Sequence, residues 1–212
     1  MKLPRHTLNA AALLGLFSLI GLGGIAWVHE NTRERIAANE RAALLHALEE
    51  LVPPQGFDND ILGDTLTIRD SALDARQPTT AYRARKNGRP VAVVLSPTAP
   101  DGYNGAIKLL VAIRADGVLE GVRAIAHRET PGLGDPIDTD KSDWIRSFAG
   151  RSLGDPPEAR WQVRRDGGDF DQFTGATLTP RAVVKAVRRS LVFFGKNRAR
   201  LFAGQGQDFT GD

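Results

Sequence analysis

The feature that most constrains this chain is Leu8–Val28, 21 consecutive residues without a charge. As a helix rising 1.5 Å per residue, the run spans about 30 Å, the thickness of a bilayer's hydrocarbon core. Gly15, Gly21, Gly23 and Gly24 fall inside it, which membrane helices tolerate, and Trp27 stands where an interfacial aromatic belongs. The competing reading is a cleaved signal peptide. Such a segment has a shorter apolar stretch that closes on small residues, whereas this one runs into Trp27-Val28-His29-Glu30. A retained single-pass anchor is therefore expected. Lys2, Arg5 and the amino terminus precede it, and the charges that follow (Glu30, Arg33, Glu34, Arg35) are mixed. The positive-inside rule then puts residues 1–28 down as cytoplasmic N-terminus and anchor. Residues 29–212 go outside, which in a bacterium is the periplasmic side of the inner membrane.

With 212 residues, one sizeable domain fits beyond the anchor. The formal net charge is +3, of which Lys2 and Arg5 supply +2, so residues 29–212 carry only +1. No basic stripe with interleaved aromatics occurs, which sets nucleic acid aside. Cysteine is absent, so this chain offers no disulfide, no thiolate ligand for an iron–sulfur cluster and no thiol nucleophile.

Leu44, Leu45, Leu48, Leu51 and Val52 recur at helical spacing, and Pro53-Pro54 follows, so a juxtamembrane helix over 30–51 is expected within a segment 29–55. The anchor helix is free to run straight into it. A short strand is expected around Leu66–Ile68. Tyr82–Lys86 and Val91–Ser96 flank Asn87-Gly88, a strong hairpin signal. Gly105–Arg114 and Val118–His127 flank Ala115-Asp116-Gly117 in the same way. The spacing predicts a short helix over Ser142–Phe148 capped by Ser142, a strand over Trp161–Arg165, and a last helix from Thr179 to about Phe194. In that helix Thr179 serves as N-cap and Pro180 as first residue. Val183, Val184, Val187, Leu191 and Phe194 share its apolar face, and Arg181, Lys185, Arg188 and Arg189 its solvated one. The fold class is α+β: a single N-terminal transmembrane helix, then an antiparallel-sheet domain over 56–196 with flanking helices. A flexible tail occupies 197–212.

The stretch with chemistry in it is Asp171-Gln172-Phe173-Thr174-Gly175-Ala176-Thr177-Leu178-Thr179, a loop that feeds a helix N-terminus. Gly175 permits a backbone angle its neighbours could not adopt. Thr177 lies beside the free amides and partial positive charge of the helix start, a place that suits a phosphate. Taken on these residues alone, the stretch reads first as a capping sequence without a ligand. No G-x-G-x-x-G follows a predicted strand and no nucleophile elbow is visible. His127 reads as a strand-end histidine, with no second ligand spaced to make a metal site, and no metal is expected.

Asp171-x-x-Thr174-Gly175-Ala176-Thr177 matches the D-x-x-[ST]-G-A-[ST] flavinylation motif. Further matching stretches come in the right order: Asp58-Asn59-Asp60-Ile61-Leu62-x-Asp64-Thr65, Gly102-Tyr103-Asn104-Gly105, His127-x-Glu129-Thr130-Pro131-Gly132-Leu133-Gly134, and Ser142-Asp143-Trp144. From the anchor to about residue 195 the chain resembles the G subunit of the Rnf (Rsx) ion-translocating electron-transport complex, whose covalent FMN-binding domain is shared with the C subunit of the sodium-pumping NADH:quinone reductase. The resemblance implies FMN held by a phosphoester on Thr177, attached by a separate flavin transferase for which Asp171 and Gly175 serve as recognition. It implies an electron carrier, not catalytic alone, that works with other membrane subunits of a complex linking ferredoxin, NAD and ion movement. Thr174, Ala176 and Leu178 adjoin the attachment point. Glu129, Thr130, Gly132, Leu133 and Gly134 are the expected walls of the flavin site. Trp144 is either a stacking partner or a core aromatic. The alternative function is a membrane-tethered scaffold or binding domain of the same fold without a cofactor.

Overall fold

The computed structural model describes residues 5–203 and 209–210. Lys2, part of the charge argument for orientation, lies outside the described residues, as do 204–208 and 211–212 of the expected tail. One helix, α1, runs without a break over Arg5–Leu51, so no kink marks the expected division between anchor and juxtamembrane helix. Proline lacks the amide and clashes with the preceding turn, and the helix stops just before Pro53-Pro54. Among the described residues α1 is the one helix long and apolar enough to cross a membrane. Leu14, Phe17, Leu19, Ile20, Leu22 and Ile25 are all exposed along it, which water would penalise and lipid would not.

The chain divides into two compact units, Met1–Leu45 and His46–Asp212. The second begins with the last turn and a half of α1, where Leu48 and Leu51 are buried. Its centre is a seven-stranded sheet: β1 (Thr65–Arg69), β2 (Thr79–Lys86), β3 (Arg89–Leu95), β4 (Thr98–Gly102), β5 (Gly105–Arg114), β6 (Leu119–Ala126) and β7 (Phe209–Thr210). Every pairing is antiparallel except β1 with β7. Both expected hairpins form. Asn87 and Gly88 take positive φ angles of 51° and 73°, as the two central residues of a tight primed turn must. β5 is the pivot: one edge holds β6, and the other holds β3 along its C-terminal half and β4 along its N-terminal half. β4 is an addition to the sequence reading. Pro97, Pro100 and Gly102 mask it, and it survives because proline is tolerated where no ladder donor is required.

The last helix, α2, spans Leu178–Phe202 and buries Val183, Val184, Val187, Leu191 and Phe194, the face that its periodicity predicts. It starts one residue earlier and ends two turns later than expected. The extension is held by burial of Leu201, by an edge-on contact of Phe202 with Phe194, and by cations at the helix end. Arg83 donates to the Ala203 carbonyl at 2.9 Å and Arg85 to that of Phe202 at 3.4 Å, where the helix presents unpaired acceptors and partial negative charge. Asp64 pairs with both arginines.

Two local expectations are corrected. Trp161–Arg165 is not a strand; it makes only a single bridge, Val163 to Phe170, before a 3-10 turn over Arg164–Asp166. Trp161 and Val163 are buried as the alternation requires, yet Gly167, at φ 89°, turns the chain back, and Trp161 packs on Phe148 and Phe170 instead of pairing with a neighbour strand. Ser142 is not the cap of the following helix either. That helix is a 3-10 segment over Trp144–Phe148 with Asp143 at its cap position, while the Ser142 hydroxyl accepts the Trp144 amide at 3.0 Å.

Candidate functional site

Thr177 and Thr179 are two residues apart, and the fold treats them differently. Thr177, not Thr179, is the N-cap of α2: its carbonyl accepts the Arg181 amide, and its hydroxyl makes no capping hydrogen bond. Thr179 is fully buried and donates its hydroxyl to Oε2 of Glu129. That attraction, with Pro180 tolerated anywhere in a first turn, is why the helix begins before the expected cap.

The loop that delivers Thr177 is fixed from several sides. Ala176 donates its amide to the Phe173 carbonyl, closing a turn in which Gly175 takes φ 80°. The Trp144 indole N–H donates to the Asp171 carbonyl at 2.8 Å, and its ring meets Phe148 and Phe173 edge-on at 5.4 and 5.1 Å. Arg164 pairs with the Asp171 carboxylate at 2.8 Å. Arg181 grips Asp166 with two hydrogen bonds, 2.6 and 2.8 Å, tying the Arg164–Asp166 turn to the first turn of α2. The Arg181 hydrogen bond and charge hold the Asp166 carboxyl below its ordinary range, and Asp166 raises Arg181 in return.

Above this helix start lies a cleft of about 410 Å³. Its walls are Tyr103, Glu129, Thr130, Leu133, Gly134, Arg165, Gly175, Ala176, Thr177, Leu178, Thr179 and Arg181. Outside α1, the exposed large apolar side chains among the described residues are Tyr103, Ile125, Leu133 and Leu178, and three of those four line this cleft. At its floor Glu129 is 5 % exposed. Its carboxylate accepts the Asn104 amide at 3.1 Å as well as the Thr179 hydroxyl, so one buried acid joins the β4–β5 turn, the loop after β6 and α2. Gly102 and Gly134 let the backbone close around it. A Cβ on Gly134 would stand 2.7 Å from Glu129 Oε2 and 2.9 Å from Thr179 Oγ1. His127 is tied down beside this loop. Its Nδ1 accepts the Glu129 amide, so its Nε2–H donates to Asp138 at 3.0 Å.

Of the residues singled out in the sequence, Glu129, Thr130, Leu133, Gly134, Gly175, Ala176, Thr177 and Leu178 meet in one cleft. Gly132, Thr174, Asp171 and Trp144 do not line it. Gly132 makes a tight turn at φ 77°, with its amide donated to Asp135, and Trp144 packs on the core as an anchor for the motif loop. Tyr103, Arg165, Thr179 and Arg181 join the cleft without having been singled out as its walls. Arg181, four residues after Thr177 on a helix, could have been found by spacing; Arg165 could not, because the segment around it reads as a strand.

Every residue lining the cleft falls within 102–192, the stretch matched by the model of the FMN-binding domain. The model of the RnfG N-terminal region matches residues 1–51, which end where α1 ends. The chain is 52% identical over 200 residues to the G subunit of the ion-translocating oxidoreductase complex of Pseudomonas aeruginosa strain UCBPP-PA14, covering 94% of both chains. This chain belongs to the family of G subunits of ion-translocating oxidoreductase complexes. A second G subunit, from Shewanella baltica strain OS223, is 47% identical over 90% of this chain and 91% of its own. Among solved structures, a crystal structure of Shewanella oneidensis NqrC aligns with a TM-score of 0.47 at 21% identity, covering 71% of this chain and 74% of that one. The cleft at the start of α2 thus lies in the FMN-binding domain of a G subunit.

Proposed function

We propose that this G subunit carries FMN through a phosphoester on the Thr177 hydroxyl. Anchored by α1 as a single pass in a bacterial inner membrane, with residues 29–212 on the periplasmic side, it relays electrons among the other subunits of a ferredoxin:NAD-type complex. The observation that carries the reading is the state of Thr177, a helix N-cap whose hydroxyl is not used for capping and which opens on an apolar-rimmed cleft. A phosphate there meets the free amides and positive end of a 25-residue helix. Leu133, Leu178 and Tyr103 offer apolar surface of the kind a flat aromatic ring covers, and 410 Å³ is within the range of small-molecule clefts. Bound FMN would supply reversible electron acceptance; the chain's residues hold and orient it.

A threonine hydroxyl is a weak nucleophile at neutral pH, so attachment calls for a flavin transferase. The balanced step joins Thr177 Oγ1 to the FMN phosphorus of FAD, breaks the pyrophosphate bond, releases AMP and passes the hydroxyl proton to a base. Asp171 is exposed and outside the cleft walls, which supports a role toward the transferase and not toward the bound flavin. Co-expression with a flavin transferase, followed by a denaturing gel under ultraviolet light, tests the proposal. A fluorescent band that Thr177→Ala abolishes supports it; a dark wild-type band favours the tethered domain without a cofactor.

A further inference from the structure

Two arginines, Arg165 and Arg181, line the cleft with Thr177, and Arg164 is the sequence neighbour of the first; Arg164 and Arg181 have carboxylate partners. Arg164 pairs with Asp171, and Arg181 with Asp166. Arg165 also lines the cleft; its charge acts on the neighbouring Asp166, but no ion pair within 4 Å holds it among the described residues. Its position is nonetheless fixed. Its amide donates to the Gln172 side chain at 3.2 Å, and the residues on either side of it are the two tied down by Asp171 and Arg181. Gly168 closes the same turn so tightly that a Cβ would stand 1.9 Å from the Gln162 carbonyl oxygen. The fold therefore anchors the loop on both flanks of Arg165 and sets that residue in the wall of the cleft that Thr177 also lines. Across that cleft the acidic group, Glu129, is already satisfied by Asn104 and Thr179 and lies buried at the floor.

We infer that Arg165 is the counter-cation for the flavin phosphate, a cofactor-binding residue that grips the phosphodiester oxygens at Thr177. This rests on the proposed Thr177 linkage and adds to it the group that neutralises its charge. A phosphodiester keeps one negative charge, and a guanidinium fork matches two phosphate oxygens better than an ammonium does. Arg181 spends its Nε and Nη2 on Asp166, so its charge is already shared with a carboxylate, and Arg164 pairs with Asp171, outside the cleft walls.

The test compares the full chain, R165Q and R165K, each presented to a limiting amount of flavin transferase with FAD. The loaded fraction is followed by intact mass, and the phosphorus-31 resonance is then recorded on material driven to full loading. A charge-assisted hydrogen bond contributes about 1.5–3 kcal/mol, so R165Q should load about tenfold or more slowly, R165K, which keeps the charge but not the fork, should load at a rate between the two, and the phosphorus resonance of loaded R165Q should move from that of the wild type. R165Q loading at the wild-type rate overturns the inference. So does slower loading with an unmoved resonance, which makes Arg165 a transferase contact instead. If R165Q does not load at all, R165K carries the phosphorus comparison, and a resonance identical to wild type overturns the inference. A bare wild-type chain sinks the Thr177 linkage itself; a loaded wild type with an indifferent R165Q sinks only this inference.

Discussion

Glu129 is the residue on which the shape of the cleft turns. A buried carboxylate is costly unless its oxygens are satisfied, and here an amide from one turn and a hydroxyl from α2 satisfy them. Glu129→Ala strands both donors and should lower stability by about 1–3 kcal/mol in chemical unfolding, whereas Glu129→Gln keeps an acceptor for Asn104 and should cost much less. Equal losses for the two variants would contradict this network. Gly134 is the complementary case: its φ of −100° is ordinary, so the constraint on it is space alone. Gly134→Ala drives a methyl into Glu129 and Thr179, both buried, and should cost about 1–3 kcal/mol by overpacking. These side-chain fits were not legible in the sequence. The motif around Thr177 and the Glu129–Gly134 stretch could be read as neighbours in a site, but a contact 50 residues apart between Glu129 and Thr179 has no local signature.

At the scale of elements, periodicity and turn chemistry were reliable where they had one interpretation. Asn87-Gly88 could only be a turn, and the apolar face of α2 could only be buried. They failed where tertiary contacts decided: the cap moved from Thr179 to Thr177 because Glu129 claims Thr179, and the alternation of Trp161 and Val163 belongs to an aromatic-packed turn. The Asp166–Arg181 pair braces that turn against α2, and its pH response has a definite sign. The folded Asp166 carboxyl is depressed by the Arg181 hydrogen bond and charge, so the contribution is present above the ordinary carboxylate range and is lost as pH falls through the lowered folded value. Relative to Asp166→Asn, the wild type should therefore gain its advantage in melting temperature near neutrality and lose it in acid. Asp166 is exposed and Arg181 half-buried, so the pair is open to solvent and salt should shrink the difference. A pH-independent difference would mean the pair does not act through charge. Trp144→Phe should speed amide exchange across residues 171–176, since the indole bond to the Asp171 carbonyl is removed while the aromatic packing is kept.

For the whole molecule, the chain divides into Met1–Leu45, which contains the apolar run, and His46–Asp212, which contains the sheet; the run and the sheet were each legible in the sequence, whereas a division inside the continuous α1 was not. Deleting residues 1–28 should move the protein from the membrane fraction to the soluble one with the 46–212 unit still folded; persistence in the membrane would place the attachment elsewhere. The central claim concerns one oxygen atom, and one measurement addresses it most directly: the mass of the chain matured in its native host, with the tryptic peptide Asp166–Arg181 sequenced by fragmentation. The account predicts a gain of one FMN less one water, localised to Thr177. A peptide of unmodified mass, with residue 177 bare, would contradict it.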